Sequence, residues 1–471
     1  MISAYYSKDC NSRDMFNDLK IAQDPSFETH LNRHNVFFLN IQQFWSETND
    51  ILKMKERIQK LLLWDLQQQY PDISYFDKTN LTDSLRDILA QTGEGFIFII
   101  DEWDCLFREV KDDPELWCIY LDFLRNLLKD AKYVDLVYMT GILPVKKYGS
   151  QSALNMFDEY SMTDPWELSE FVGFTESEVE ALCKKYGRSF DLVRQWYNGY
   201  WFPKIGNVYN PKSVVMAMLS GHFNNYWNKT ASYETLEIHI EMNFDGLKDS
   251  VVKMLGGERA RVDIQSFQND LESFKSKDDV LTLLIHYGYL GYDIETETVF
   301  IPNNEISSEY VNAIKGAHWE EIVKMLNSSD QLLQDIWQKD ATAVADAIDS
   351  AHLENASILK YNDENSLACA LSISLYSAKK YYTIIRELPT GKGFADLVFL
   401  PRPNHVDKPA MVVELKWDKS ADSAIQQIKE KRYIAGFVGA GFKTAPPGQL
   451  LLVGINYDKE TKKHECVIEA R

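Results

Sequence analysis

The chain has 471 residues, 45% hydrophobic, 25% charged and 13% aromatic, a composition that excludes intrinsic disorder and a length that suggests about three domains of roughly 150 residues. Its six cysteines are scattered without a CxxC pair and its nine histidines show no HExxH or similar spacing, which argues against zinc and for a cytosolic setting. No run of about 18 apolar residues occurs and "MISAYYSKDC" lacks a basic then apolar signal segment, so membrane insertion and secretion are not expected.

The first part alternates strands and helices: "NVFFLNI" (35–41) as a buried strand, "DILKMKERIQKLLLWDLQQQY" as an amphipathic helix, "FIFII" as a second strand, "ELWCIYLDFLRNLLKD" as a helix and "VDLVYMTG" as a third strand. That order implies a mainly parallel sheet covered on both faces. The second strand runs into two adjacent acids, "GFIFIIDEWD" (95–104), as a nucleotide hydrolase presents the carboxylates that hold magnesium and orient water.

After about Met162 helical patterns take over. Thr175 before "ESE" is a helix N-cap signal with acids in the first turn. "DVLTLLIHYGYLGYDIETETVFIPN" reads as a helix followed by a hairpin with its turn near Glu295 to Glu297, the outline of a winged helix. Asp293, Glu295 and Glu297 would set acids where a DNA-binding wing meets phosphates, so the expected role is structural or interdomain.

The final part opens with the helix "NDENSLACALSISLYSAKKYY", then the strands "YTIIREL", "FADLVFL" and "AMVVELKW", the helix "SADSAIQQIKEKRYIAGF" and the strand "LLLVGINYD". Its charge differs from the rest. Residues 351–471 hold 17 Lys and Arg against 14 Asp and Glu, a net of +3, so the first 350 residues carry −23 of the total −20. Domain boundaries are expected at 1–162, 163–345 and 346–471.

Asp396 in "GFADLVF" and Glu414 with Lys416 in "VVELKW" stand out in this part. The loop "PRPNHVDKP" is centred on His405, so in a simple hairpin positions summing to 810 face each other, and Asp396 meets Glu414 with Cβ atoms roughly 4.5 to 5.5 Å apart. Opposed carboxylates repel unless a cation sits between them, and hard oxygen ligands of this kind suit Mg²⁺ or Mn²⁺. Lys416, two residues after Glu414, shares its face and can orient a water or neutralise charge on a reacting phosphate. The plainer reading makes both acids strand ends and Lys416 a surface ion-pair partner.

The D-X17-E-X-K pattern resembles the PD-(D/E)XK nuclease core. That resemblance implies a supporting acid at Glu364, near the start of the preceding helix, and a supporting Gln427 with Lys431 one turn on in the next helix; spacing leaves Gln426 or Gln427 open as the inward residue. The whole chain, through "FIIDEWD", "TGILPVKKYGSQSALNMFDEYSMT", "FVGFTESEV", "WYNGYWF", "VYNPKSV", "DDVLTLLIHYGYLGYD" and the C-terminal motifs, resembles a bacterial family that joins an AAA-ATPase-like domain to such a nuclease domain. The resemblance implies an α/β P-loop-type parallel sheet, a helical and winged-helix-like middle and a restriction-endonuclease-like end, with a nucleic-acid partner, DNA first among them. It would make Asp101 the magnesium acid, Glu102 the water-activating acid and Thr140 a γ-phosphate sensor; the plainer readings are a turn cap and an ordinary strand end.

Relatives carry a basic phosphate loop just before a helix that matches "MISAYYSKDCNSRDMF", and this sequence starts inside that helix. ATP is therefore expected only if that loop is supplied, and the sheet is expected to lack a central strand and expose apolar surface. The glycine-rich "GFVGAGFKT" (436–444) follows a helix and precedes a strand, the reverse of a phosphate loop's order. Two other classes remain beside a nuclease: an ATP-gated or degenerate interaction protein whose nuclease fold binds through residues such as Lys431 and Arg432 without cutting, and a non-functional truncation.

Overall fold

The computed structural model describes the chain apart from residues 111–112, 145–153, 228–232, 243, 245, 268–273, 318, 356–363, 391–392 and 431–449. It is a mixed α/β protein that divides into two compact units, residues 1–164 with 266–274, and residues 165–265 with 275–471. Lys431, Arg432 and the stretch 436–444 lie outside the described residues.

The first unit is built on a parallel sheet of β1 (Asn35–Asn40), β2 (Phe96–Asp101) and β3 (Val134–Met139), in that order. Its helices follow from local signals. Asp50 accepts the N–H groups of Leu52 and Lys53 to open α2 (Ile51–Gln69), whose Ile51, Met54, Ile58, Leu62 and Leu66 recur at helical spacing and are buried. The helix α3 (Leu81–Thr92) is capped by Asn80 and closed by Gly93 at φ +76°, a left-handed position that glycine takes without strain. Asp113 caps α5 (Pro114–Leu128), with the proline at the first helical position. Side chains from these helices bury Leu39, Phe96, Phe98 and Ile100 on one face of the sheet. On the other face Phe38 is 55% exposed, Leu136 40% and Tyr138 37%.

The expected N-terminal helix is short. The helix α1 covers only Ile2–Tyr6, because the Ala4 carbonyl is taken by the Ser12 hydroxyl (2.6 Å) and the Asn32 amide (2.9 Å), which fold the following residues back.

In the second unit, strands do not stop after Met162. The β4 (Phe174–Thr175), β5 (Tyr200–Phe202) and β6 (Gly206–Tyr209) segments form a small antiparallel sheet, with strands too short to carry a period-two pattern. The cap at Thr175 is a full capping box with Glu178, opening α6 (Glu176–Tyr186). Further on, α8 (Lys277–His286) leads into the hairpin of β8 (Gly291–Asp293) and β9 (Thr298–Phe300), with Glu297 at φ +50° in the turn. A third strand, β7 (Ala260–Arg261), joins β9. Asp293 pairs with Arg259 at 2.5 Å and caps the turn through the Glu295 and Thr296 amides, so its charge is used inside the hairpin.

The C-terminal sheet has five strands in chain order: β10 (Tyr382–Thr390), β11 (Gly393–Pro401), β12 (Ala410–Trp417), β13 (Leu450–Asp458) and β14 (Lys463–Ala470). Only β12 and β13 are parallel. The edge strand β14 was not expected. Leu397, Phe399, Met411, Val413 and Leu415 face one core, together with Leu332, Leu333 and Ile336 of α10 (Glu320–Gln338) and Val344 and Ile348 of α11 (Ala341–Asn355). The division expected at 345/346 thus falls inside α11, within the packing of this core. The opposite face carries Val398, Leu400 and Val412 against Ile425 and Ile428 of α13 (Ala421–Glu430).

The helical region locks onto this sheet. The C-terminal end of α7 (Leu247–Leu255) meets α12 (Glu364–Ser374), where a Cβ on Gly256 would lie 2.4 Å from Cys369 Sγ. Arg386 of β10 donates to the Gly256 carbonyl at 2.6 Å and pairs with Glu258 at 3.8 Å. Among the described residues no helix is long and apolar enough to cross a membrane.

Candidate active site in the C-terminal sheet

The hairpin about His405 has the expected symmetry: Leu397 faces Val413, Val398 faces Val412 and Phe399 faces Met411. The described ladder ends there, one step short of Asp396 and Glu414. Beyond it, Asp396 Oδ2 accepts the Leu415 N–H at 2.7 Å, so a side chain takes the place of a backbone rung and the strands part. Asp396 is half-buried at this parting. Asp396 is thus held against the backbone of the next strand, one step beyond the rungs that follow the expected register.

Glu414 and Lys416 alternate with Leu415 on β12 and so lie on the α13 face of the sheet. Both are buried, at 1% and 6% exposure. The Lys416 ammonium donates to Glu414 Oε1 at 3.1 Å and to the Leu415 carbonyl at 2.9 Å. Buried charges persist only when paired in this way. Gln427 of α13 donates its side-chain amide to the same Oε1, which settles the inward residue as Gln427, with Gln426 exposed.

Gly454, opposite Glu414 in the parallel register, makes this reach possible. A Cβ there would sit 2.4 Å from the Ala421 carbonyl and 3.0 Å from Ile425 Cγ1. The missing side chain lets α13 settle onto β13. Sequence reasoning missed Gly454, although a glycine inside the apolar run "LLLVGIN" signals close backbone approach.

Glu364 opens α12 and is half-buried; α12 supplies Leu367 and Leu371 to the core on the face of the sheet opposite α13. Among the described residues no group of three or more His, Cys, Asp and Glu is arranged to hold a metal ion. Asp396 and Glu414 stand on adjoining strands, and carboxylate oxygens of this kind are the hard donors that could hold Mg²⁺ or Mn²⁺, with other oxygens completing the shell.

In the first unit, Asp101 ends β2, and its Oδ1 accepts the Thr140 hydroxyl at 2.5 Å and the Glu102 N–H at 3.1 Å. The paired strand ends thus bring Asp101, Glu102 and Thr140 together. Glu102 sits at φ +55°, and its carboxylate pairs with Arg108 of α4 (Cys105–Glu109). Asp104, fully buried, accepts the N–H groups of Ile142 (3.1 Å) and Leu143 (2.8 Å) and lies 3.3 Å from Arg108 Nε. Burial opposes the Arg108 charge, yet the Asp104 and Glu102 carboxylates raise its pKa above the ordinary arginine value. Asp104 and Arg108 were not singled out from sequence, although Asp104 closes the quoted "GFIFIIDEWD".

Comparison with known proteins follows the same division. Residues 1–150 match the family described as a predicted AAA-ATPase, and residues 362–466 match the PD-(D/E)XK nuclease superfamily. No curated protein matches the chain. Among solved structures the chain is similar to a Walker-type ATPase of Pyrococcus abyssi, with 10% identity and a TM-score of 0.32 over 62% of this chain and 89% of that one.

Proposed function

We propose that this chain, which joins an AAA-ATPase-like domain to a PD-(D/E)XK nuclease superfamily domain, is a metal-dependent nuclease that hydrolyses phosphodiester bonds, with DNA as its first substrate. The observation that carries the reading is the buried cluster of Glu414, Lys416 and Gln427, with Asp396 on the adjoining strand. Two donors, Lys416 and Gln427, converge on one oxygen of the buried Glu414, and buried ionisable groups held by such specific partners cluster at functional sites.

In this reading Asp396 and Glu414 would hold Mg²⁺ or Mn²⁺, which would supply Lewis-acid polarisation of the phosphate. Lys416 orients the attacking water and neutralises charge on the phosphorus oxygens. Gln427 fixes the Glu414 rotamer, and the supporting role of Glu364, whose helix packs on the other face of the sheet, rests on the resemblance to the PD-(D/E)XK core. The oxygen of water bonds to phosphorus and gives up a proton to solvent, the P–O bond to the leaving nucleotide breaks, and the departing oxygen takes up a proton from solvent.

Asp101, Glu102 and Thr140 would form one side of a nucleotide site, with Asp101 as its metal acid, Glu102 as the water-activating acid and Thr140 as the γ-phosphate sensor. A cytosolic bacterial setting is part of the same proposal. The second reading is a degenerate ATPase-like regulatory or interaction protein whose nuclease fold binds nucleic acid without cutting; its degenerate-ATPase part is favoured by one observation, the engagement of the Glu102 carboxylate by Arg108. Cleavage assays with Mg²⁺ on single-stranded, duplex and branched DNA separate the two. The nuclease reading expects cutting that Glu414→Ala and Lys416→Ala abolish; activity untouched by both substitutions overturns it.

A further inference from the structure

We infer that Asn456, which has no part in the chemistry proposed above, is the positioning residue that holds Lys416 and Gln427 in place around Glu414. Its functional meaning rests on the nuclease reading. Asn456 lies on β13 directly opposite Lys416 and is 1% exposed. Its Oδ1 accepts the Lys419 N–H at 3.0 Å and its Nδ2 donates to the Lys419 carbonyl at 3.3 Å. One side chain thereby satisfies both backbone groups of a residue three positions beyond Lys416.

Lys419 sits in the turn that carries the chain from β12 into α13. The rest of that turn is tied to the same strand. Asp418, at φ +53°, donates its N–H to the Tyr457 carbonyl at 2.8 Å. Its carboxylate accepts the Lys459 N–H at 2.8 Å and pairs with the Lys459 ammonium at 2.8 Å. Ser420 then receives the Ser423 N–H at 3.2 Å at the start of α13. The Asp418 contacts are at the surface, and an exposed pair of this kind contributes little. The buried clamp is the amide of Asn456, and a buried amide left without partners is costly.

The clamp fixes where β12 ends and where α13 begins. Lys416 is the last buried residue of the one, and Gln427 lies less than two turns into the other. Both converge on Glu414 Oε1. Releasing Lys419 therefore loosens the two donors together while leaving the two carboxylates on their strands. Only asparagine offers one donor and one acceptor at this length. Aspartate keeps the acceptor, loses the donor and adds a carboxylate opposite Lys416.

The test compares Asn456→Asp and Asn456→Leu with the wild-type full-length chain. It reads kcat and KM for Mg²⁺-dependent DNA cleavage, the rate of amine-reagent labelling at Lys416 by peptide mass, and the thermal midpoint. We expect kcat to fall about 10- to 100-fold, the range of a lost supporting contact, with KM retained and Lys416 labelled several-fold faster. Wild-type kcat and wild-type labelling with a lowered midpoint would mean a purely structural role and overturn the inference. Should the wild type cut no DNA, the nuclease reading fails and labelling alone decides: faster labelling upholds the positioning role, and an unchanged rate overturns it. Should Asn456→Leu not fold, Asn456→Ser carries the comparison, because the carboxylate of Asn456→Asp would itself slow labelling at Lys416.

Discussion

Gln427 and Lys416, from a helix and a strand, donate to the same oxygen of Glu414, so a buried carboxylate is held by one neutral amide and one ammonium. The arrangement depends on how closely α13 approaches β13, and that distance is set by Gly454.

Gly454→Ala tests the dependence. The new methyl would meet the Ala421 carbonyl at 2.4 Å, a backbone atom that cannot swing away. Overpacking of this kind costs about 1–3 kcal/mol, so urea denaturation should show that loss for the C-terminal unit. The displaced helix should also draw Gln427 off Glu414 and reduce cleavage by more than the stability loss explains. A variant as stable and as active as wild type would contradict the packing account.

Asp104 is the corresponding support in the first unit. It is buried, receives two backbone N–H groups and faces Arg108. Asp104→Ala leaves those amides and part of the Arg108 charge without a partner, at a cost of about 3–5 kcal/mol. The melting transition of the N-terminal unit should fall, with the C-terminal transition unmoved.

Glu305 gives a pH dependence with a definite sign. It lies on α9 (Asn304–Gly316), is 1% exposed, and accepts the Tyr226 N–H at 2.7 Å, the Trp227 N–H at 3.0 Å and the Ser213 hydroxyl at 3.0 Å. Burial pushes its pKa from 4.5 up to about 7, against the lowering pull of those hydrogen bonds. The folded state then binds more protons than the unfolded state between these values, so stability falls as pH rises from about 4.5 through 7, by on the order of 3 kcal/mol. Buried His286 acts in the opposite sense. Its pKa is lowered by burial from 6.5 to about 4, so its contribution is lost as pH falls through that window. Glu305→Gln should remove the first slope and leave the second, so wild type should lose stability relative to the variant as pH rises. Parallel stability curves for the two proteins would refute the assignment.

Much of the C-terminal site was legible because hairpin symmetry is a matter of counting. The centre at His405 fixes sums of 810, and Leu397–Val413, Val398–Val412 and Phe399–Met411 obey it. Alternation then puts Glu414 and Lys416 on one face. The parting of the strands at Asp396 was not legible, because it arises from a side chain bonding to the backbone amide of Leu415, and such bonds leave no periodic trace. Asn456 and Asp104 escaped for the same reason: their partners are backbone groups 37 and 38 or 39 residues away. In the helical region, strands of two to four residues are shorter than the window in which alternation can be told from helical spacing.

The most direct test of the central claim is single-turnover cleavage of end-labelled DNA with Mn²⁺, comparing wild type with Lys416→Met while metal binding is followed by calorimetry. The account predicts that the variant still binds Mn²⁺ through Asp396 and Glu414 but cleaves at least about 100-fold more slowly, the scale of a lost charge-stabilising group. Equal cleavage rates in the two proteins, with metal bound in both, would contradict it.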